Sequence, residues 1–423
     1  MPHFLIRGGK KLNGTVVIPG AKNAALKMLC AALLTPEKCV IKNIPRIGDV
    51  ETLLQIFRDI GVLVKENWKE KTVEIQAKKI DLVALEKNEL VKKIRASLLL
   101  IGPILSRTGR IKIMTPGGCI IGARSHQLHL DAFETLGVRI LRDDDFIELS
   151  FEKKKIATRQ ILLPEASVTG TENLAIFLTG QMEKTDIYFT AAEPHVVALL
   201  DMLRSMGAKI SGAGTHHITI EGTKKIRGGI FSVPPDNILV GTYAVAAIIT
   251  RGSVRISPVN HAELFSFYGI LKRLGANFLM EKDALVIEPC KKLQSITKVK
   301  TAIFPGFPTD LQSPVGVLLT QCEGKSLLFE TLFENRLTYL NELEKMGAKI
   351  KILNPHQAKI TGISSLKGAE VVSWDLRAGA AVVLAGLIAK GKTKVSQINY
   401  IDRGYENFVE TLQSLGADIK RVK

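Results

Sequence analysis

The sequence predicts an α/β protein of two similar domains, each made of three repeated units. Three observations predict it. The first is length: 423 residues exceed what one ordinary core holds, so two domains are expected. The second is a short pattern that recurs six times: an apolar residue, two variable residues, an apolar residue, Gly, Ala or Val, one variable residue, then an apolar residue. The third is an apolar helical segment ahead of every copy, with strand-like segments after it.

The six copies are FRDIGVLV, FETLGVRI, LRSMGAKI, LKRLGANF, LEKMGAKI and LQSLGADI. Their glycines are Gly61, Gly137, Gly207, Gly275, Gly347 and Gly416, which places them 68 to 76 residues apart. Each copy predicts a helix ending on a glycine C-cap and turning at once into a strand. The preceding helices fall at 24–34, 94–105, 173–179, 242–250, 311–320 and 378–389. They are apolar nearly all round, which predicts burial. Segments such as GRIKIMTPGG, TDIYFTAAEP and GSVRISPVN supply strands and loops.

The chain ends predict how the units are shared out. Units close with a glycine-containing strand segment, as in IEGTKKIRGGIFSVPPDN and ITGISSLKGAEVVSWDLRA, but the last stops at LGADIKRVK. The missing segment stands at the other end, as IRGGKKLNGTVVIPGAKN. Residues 1 to about 21 are therefore expected to complete the sixth unit. One domain would be 22–234, and the other 1–21 plus 235–423. Two chain crossings would make a double-stranded hinge suited to opening and closing around a ligand.

Composition excludes several classes. Hydrophobic residues are 46% of the chain, a globular rather than disordered balance. Apolar runs such as SLLLIGPIL are shorter than the roughly 18 residues of a membrane helix. MPHFLIRGGKK carries no apolar signal core, so a cytoplasmic protein is expected. Five scattered cysteines have no metal or disulfide spacing, which agrees with a reducing compartment. The eight histidines show no metal-ligand spacing, so no metal site is expected.

The net charge of +17 points to an anionic partner or to a basic background. Lysines are dispersed along the chain and aromatics are 6%, without a basic–aromatic stripe. An anionic small-molecule site is therefore favoured over nucleic acid, and no membrane partner is expected.

Candidate chemistry concentrates at loops and helix starts. Cys119 follows two glycines and stands five residues before Arg124. Glycines permit a tight, movable turn, and a neighbouring cation favours the thiolate. Alignment of the units puts Lys22-Asn23, Arg95, Asp236-Asn237, Asp310 and Asp375-Leu-Arg377 at equivalent helix starts. Asp and Asn there are ordinary N-caps. Lys22, Arg95 and Arg377 are less ordinary, because a helix N-terminus already carries positive potential; there they fit an anion.

With GAKNAAL (20–26), IRAS (94–97), PGGCIIGAR (116–124), FPTDLQ (307–312), FENR (333–336), DLRA (375–378) and IDRGYE (401–406), the chain resembles the UDP-N-acetylglucosamine 1-carboxyvinyltransferases over essentially its whole length. The resemblance implies two inside-out α/β barrels of three units each. It implies transfer of enolpyruvate from phosphoenolpyruvate to the 3-hydroxyl of UDP-N-acetylglucosamine, with release of phosphate, in peptidoglycan precursor synthesis. It implies no cofactor or metal, although Cys119 can form a covalent phosphoenolpyruvate adduct and is the thiol that fosfomycin alkylates.

By the same resemblance, Cys119 is the proton donor and Asp310 the base near the attacking hydroxyl. Lys22, Arg124 and Arg403 hold phosphoenolpyruvate, assisted by Arg377. Asn23 contacts the sugar. Arg95, Arg124, Ser125, His126, Gln127, Leu128 and Leu332 line the nucleotide-sugar site, and Glu334, Arg336 and Asp375 stand behind. Four residues depart from the family pattern: Gln127 for an aspartate, Glu165 for a lysine, Leu239 for a glutamate and His195 for a second acid. A 3-phosphoshikimate 1-carboxyvinyltransferase of the same fold is the alternative, with a basic nucleic-acid enzyme or binder further off. Oligomeric state is not legible.

Overall fold

The computed structural model describes residues 2–115, 117, 127–152 and 156–422. It divides into two compact units, one holding residues up to Pro19 and from Pro235 onward, the other the described residues between Gly20 and Pro234.

The recurring glycine does the same work six times. Gly61, Gly137, Gly207, Gly275, Gly347 and Gly416 all have positive φ, between 78° and 119°. Glycine adopts this backbone without steric cost, so each helix stops there and the chain leaves as a strand.

In the 20–234 unit the central helices are Lys22–Ala31, Ile101–Thr108 and Val168–Thr179. They share one core with the inward faces of three sheets. In the other unit the helices Asn237–Ile249, Gln312–Leu319 and Leu376–Ile388 pack against one another in a core of their own. These helices are buried almost throughout, as their apolar composition requires. Strands alternate buried and exposed residues, as in Ser253–Ser257. Helices therefore lie inside and sheets outside. The strands form six separate sheets of three or four strands, with no single closed ladder among the described residues.

Two helices start later than the apolar pattern suggests. The expected helix at 94–105 is a 3-10 segment, Arg95–Leu100, followed by Ile101–Thr108. Pro103 is the reason: its ring clashes with the carbonyl four residues back and it has no N–H to give. Pro314 acts likewise in Gln312–Leu319, which follows the 3-10 turn Thr309–Leu311.

Strand His3–Arg7 lies between Lys392–Ser396 and Asp418–Val422, antiparallel to both. It occupies the place that Thr72–Gln76 fills between Cys39–Lys42 and Leu63–Asn67. Strand Asn13–Val17 pairs in parallel with Ser253–Ser257 in a different sheet. The N-terminal segment thus serves two repeats rather than one. No helix among the described residues is long and apolar enough to cross a membrane.

Candidate active site

Among the equivalent acids at helix starts, two are caps and one is not. Asp236 Oδ1 accepts from the N–H groups of Ile238 and Leu239 at 2.9 and 3.1 Å. Asp375 Oδ1 accepts from those of Arg377 and Ala378 at 2.7 and 3.0 Å. Asp310 caps nothing. Its Oδ1 accepts from Arg336 Nη2 at 2.6 Å, and its Oδ2 from Arg377 Nε and Nη2 at 3.2 and 3.1 Å.

Both arginines are buried, Arg377 at 2% and Arg336 at 4% exposure. Burial pushes the Asp310 carboxyl up, but Arg377 and Arg336 outweigh it and hold it far below the usual carboxylate range. Asp310 is therefore anionic, and a poor proton acceptor while both guanidiniums remain. Among the described residues, the buried Arg377 Nη1 and Arg336 Nε meet no acceptor in hydrogen-bond geometry, although the Tyr405 hydroxyl is close to Arg377. Tyr405 lies beneath the Arg377 guanidinium, 5.3 Å away. Asp375 thus orients the turn while Arg377 crosses to Asp310.

The loop after Gly324–Phe329 is fixed by Glu330, which the sequence reading missed. Glu330 is fully buried. Its carboxylate accepts from Leu332 N at 2.8 Å, Thr301 Oγ1 at 3.0 Å and Thr309 Oγ1 at 2.7 Å. Thr309 precedes Asp310, so one carboxylate ties together the Asp310 turn and the Leu332 loop. Leu332 is 37% exposed and Glu334 is exposed. Arg403 follows the short helix Asn399–Asp402 and is half-buried.

In the other unit Lys22 opens its helix as expected and is buried. Its Nζ lies 2.7 Å from Asp49 Oδ2, a second partner not read from the sequence. Asn23 beside it and Arg95 at the start of its 3-10 turn are half-buried. Cys119, Arg124, Ser125 and His126 lie outside the described residues. Gln127 and Leu128 open helix Gln127–Thr135, and their side chains lie outside the described part.

A sequence profile of the EPSP synthase (3-phosphoshikimate 1-carboxyvinyltransferase) family matches residues 6–412. The chain is 42% identical, over 99% of both chains, to a protein named UDP-N-acetylglucosamine 1-carboxyvinyltransferase 1 from Caldanaerobacter subterraneus subsp. tengcongensis. It is 43% identical, over the full length of both, to UDP-N-acetylglucosamine 1-carboxyvinyltransferase 2 from Carboxydothermus hydrogenoformans. The chain belongs to the enolpyruvyl transferase family. The solved structure of the enolpyruvyl transferase NikO from Streptomyces tendae superposes with a TM-score of 0.89 at 24% identity, covering 100% of this chain and 99% of that one. An EPSP synthase from Acinetobacter baumannii gives 0.76 at 19%, covering all of both chains. At these identities the likeness shows the fold alone.

Two other features bear on an enolpyruvyl transferase of this sequence. The free cysteines Cys30, Cys39, Cys290 and Cys322 are all buried. Burial raises each thiol, Cys39 to about 11 and Cys322 to about 12, so none of the four is poised to react. Glu172 is fully buried beside Lys27 Nζ at 3.3 Å and His195 Nε2 at 3.9 Å, and among the described residues Lys27 is its nearest donor, at best a poorly aligned hydrogen bond. Burial dominates there and pushes the carboxyl up to about 8. His195, a departure from the family pattern, therefore faces an acid in the interior.

Proposed function

We propose that this chain transfers the enolpyruvyl group of phosphoenolpyruvate to the 3-hydroxyl of UDP-N-acetylglucosamine, releasing phosphate, as the first committed step of peptidoglycan precursor synthesis. The observation that carries the reading is identity above 40% over essentially whole chains to transferases named for that acceptor. The family profile covers transferases of both kinds and does not choose between the acceptors, and the solved EPSP synthases, at 19% and 18% identity, share the fold.

The reaction adds and then eliminates. A proton adds to the phosphoenolpyruvate methylene carbon. The acceptor oxygen adds to the neighbouring carbon and gives its own proton to a base. The resulting ketal then loses a methyl proton and expels phosphate, restoring the double bond. Cys119 is the proposed proton donor. Lys22, Arg124 and Arg403 are the proposed ligands of the phosphate and carboxylate. Asn23, Arg95, Leu332 and the 124–128 stretch are assigned to the nucleotide sugar.

Asp310 is the proposed base, and its two arginines set the condition for that role. A carboxylate under two guanidiniums takes up no proton near neutrality. An incoming anion that draws Arg377 away restores its basicity, which would couple deprotonation of the acceptor to occupancy by phosphoenolpyruvate. Arg377 Nη1, which meets no acceptor in hydrogen-bond geometry among the described residues, is a donor suited to such an anion. The scheme itself calls for no metal or dissociable cofactor. The unpaired buried thiols suit a reducing compartment, and the cytoplasm is the proposed place of action.

The direct test is phosphate release from phosphoenolpyruvate with UDP-N-acetylglucosamine, with shikimate 3-phosphate, and with neither. Release with the nucleotide sugar alone is expected; release with shikimate 3-phosphate would move the chain to the other acceptor. In parallel, a thiol reagent should titrate one rapid group in the native protein and none in Cys119→Ser. A rapid group persisting in that variant would remove Cys119 from its assigned role.

A further inference from the structure

The lysines are dispersed in the sequence, but strand pairing gathers six of them. In the fifth repeat the sheet runs Lys298–Lys300, Gly324–Phe329, Gln357–Gly362 and Lys349–Asn354. Directly paired residues share a face. One row across the sheet reads Lys298, Leu327, Lys359, Lys351, and the next reads Lys325, Thr361, Lys349, with Lys300 beside Phe329. The intervening residues Val299, Ser326, Leu328, Ala358 and Ile360 point to the core. All six lysines are exposed.

These four strands contain no aspartate or glutamate. In each of the other five sheets the strands carry at least one acid, and pairs such as Lys394–Glu370, Lys38–Glu74 and Lys209–Glu221 neutralise their cations. Here Lys351 stands directly opposite Lys359, an arrangement that destabilises a sheet by itself. Adjacent rows and strands are about 5 to 7 Å apart, inside a Debye length, so the charges act together. Lys298 and Lys300 lie over the Phe329 ring at 4.7 and 5.8 Å, which keeps that ring from stacking on a base.

We propose that this face docks the protein on an anionic phospholipid bilayer. A four-stranded sheet face is broad and open, which suits a surface rather than a groove. Its cations are all lysine, point charges without the bidentate fork that reads individual phosphates. Leu353 and Ile363 stand 40% and 58% exposed at its margins, where apolar side chains can enter the interface. Each lysine brought to an anionic surface strengthens binding roughly fivefold.

The test is co-sedimentation of the full chain with vesicles of phosphatidylcholine alone or with about one-third phosphatidylglycerol. Binding to the anionic vesicles only is expected, with loss in high salt. The triple variant Lys325→Gln, Lys351→Gln, Lys359→Gln should bind at least tenfold more weakly while keeping its phosphate-release rate and melting temperature. A control removing the same charge elsewhere, Lys69→Gln, Lys78→Gln, Lys87→Gln, should bind like the wild type. Equal losses in both variants, or no binding to either vesicle, overturn the proposal. So does patch-dependent binding to single-stranded RNA without vesicle binding.

Discussion

Each unit sets a carboxylate among cations, and the two end in opposite protonation states. Asp310 meets two guanidiniums through three hydrogen bonds of 2.6 to 3.2 Å and stays ionised. Glu172 has one poorly aligned lysine at 3.3 Å and a histidine at 3.9 Å, and burial lifts its pKa to about 8. The Glu172 side chain is fully buried and that of Asp310 is 24% exposed, so desolvation and hydrogen bonding separate the two in the same direction. The planar forks at Asp310 return what desolvation removes, and the loosely placed ammonium at Glu172 does not.

The largest effect expected from breaking this contrast is at Arg377. Arg377→Met should lower turnover at least about a thousandfold and destabilise the unit by about 2 kcal/mol, because the partly exposed Asp310 charge loses one of its two guanidiniums. Arg377→Lys should recover little, since an ammonium cannot span the same contacts. Steady-state phosphate release and denaturant melts check both; near-normal turnover in Arg377→Lys would show that charge alone suffices.

Glu172 is neutral in the folded chain and ionised when unfolded between about pH 4.5 and its folded value near 8. A raised folded pKa gives stability that is complete below the unfolded pKa and is lost as pH rises through the folded one. Wild-type stability should therefore fall by about 2 to 3 kcal/mol from about pH 6 to about pH 8 on this account. Glu172→Gln should flatten that decline in thermal scans across the range. An unchanged slope would mean that Glu172 is ionised in the fold.

The smallest effect concerns the neighbouring pair. Lys22 and Lys27 sit on one helix, and Lys22 meets Asp49 at 2.7 Å where Lys27 has only the looser Glu172 contact. Asp49→Asn should raise KM for phosphoenolpyruvate about tenfold, roughly 1.4 kcal/mol, with kcat nearly kept. A fall in kcat with KM intact would place Asp49 in the chemical step instead of in holding Lys22.

The six helix–glycine–strand transitions were legible in the sequence because each depends on one residue type at one spacing. Lys22, Arg95 and Arg377 also stood out at their helix starts, whereas Asp310 read there as an ordinary cap and was singled out only by the family resemblance. The 3-10 starts at Arg95 and Thr309 were hidden behind apolar periodicity, although Pro103 and Pro314 carried the signal. Asp49, Glu330 and Tyr405 were not legible. Each acts through partners distant in the chain: Lys22 for Asp49, Arg377 for Tyr405, and the Thr301 and Thr309 hydroxyls for Glu330. The lysine face was missed for the same reason: its residues spread from 298 to 359, and only strand register joins them.

The place of strand His3–Arg7 bears on how the chain is made. During synthesis this strand emerges roughly 390 residues before Lys392–Ser396, while Cys39–Lys42 waits only about 190 for Gly229–Ser232. The 20–234 unit can thus complete its ladders on the ribosome, whereas its sister stays open until residues beyond 390 are translated. Until then the strands of the sixth repeat present bare N–H and C=O groups, the surface on which nascent chains pair with one another. Fast release from the ribosome and an early encounter with a holdase would matter more for this half than for the other.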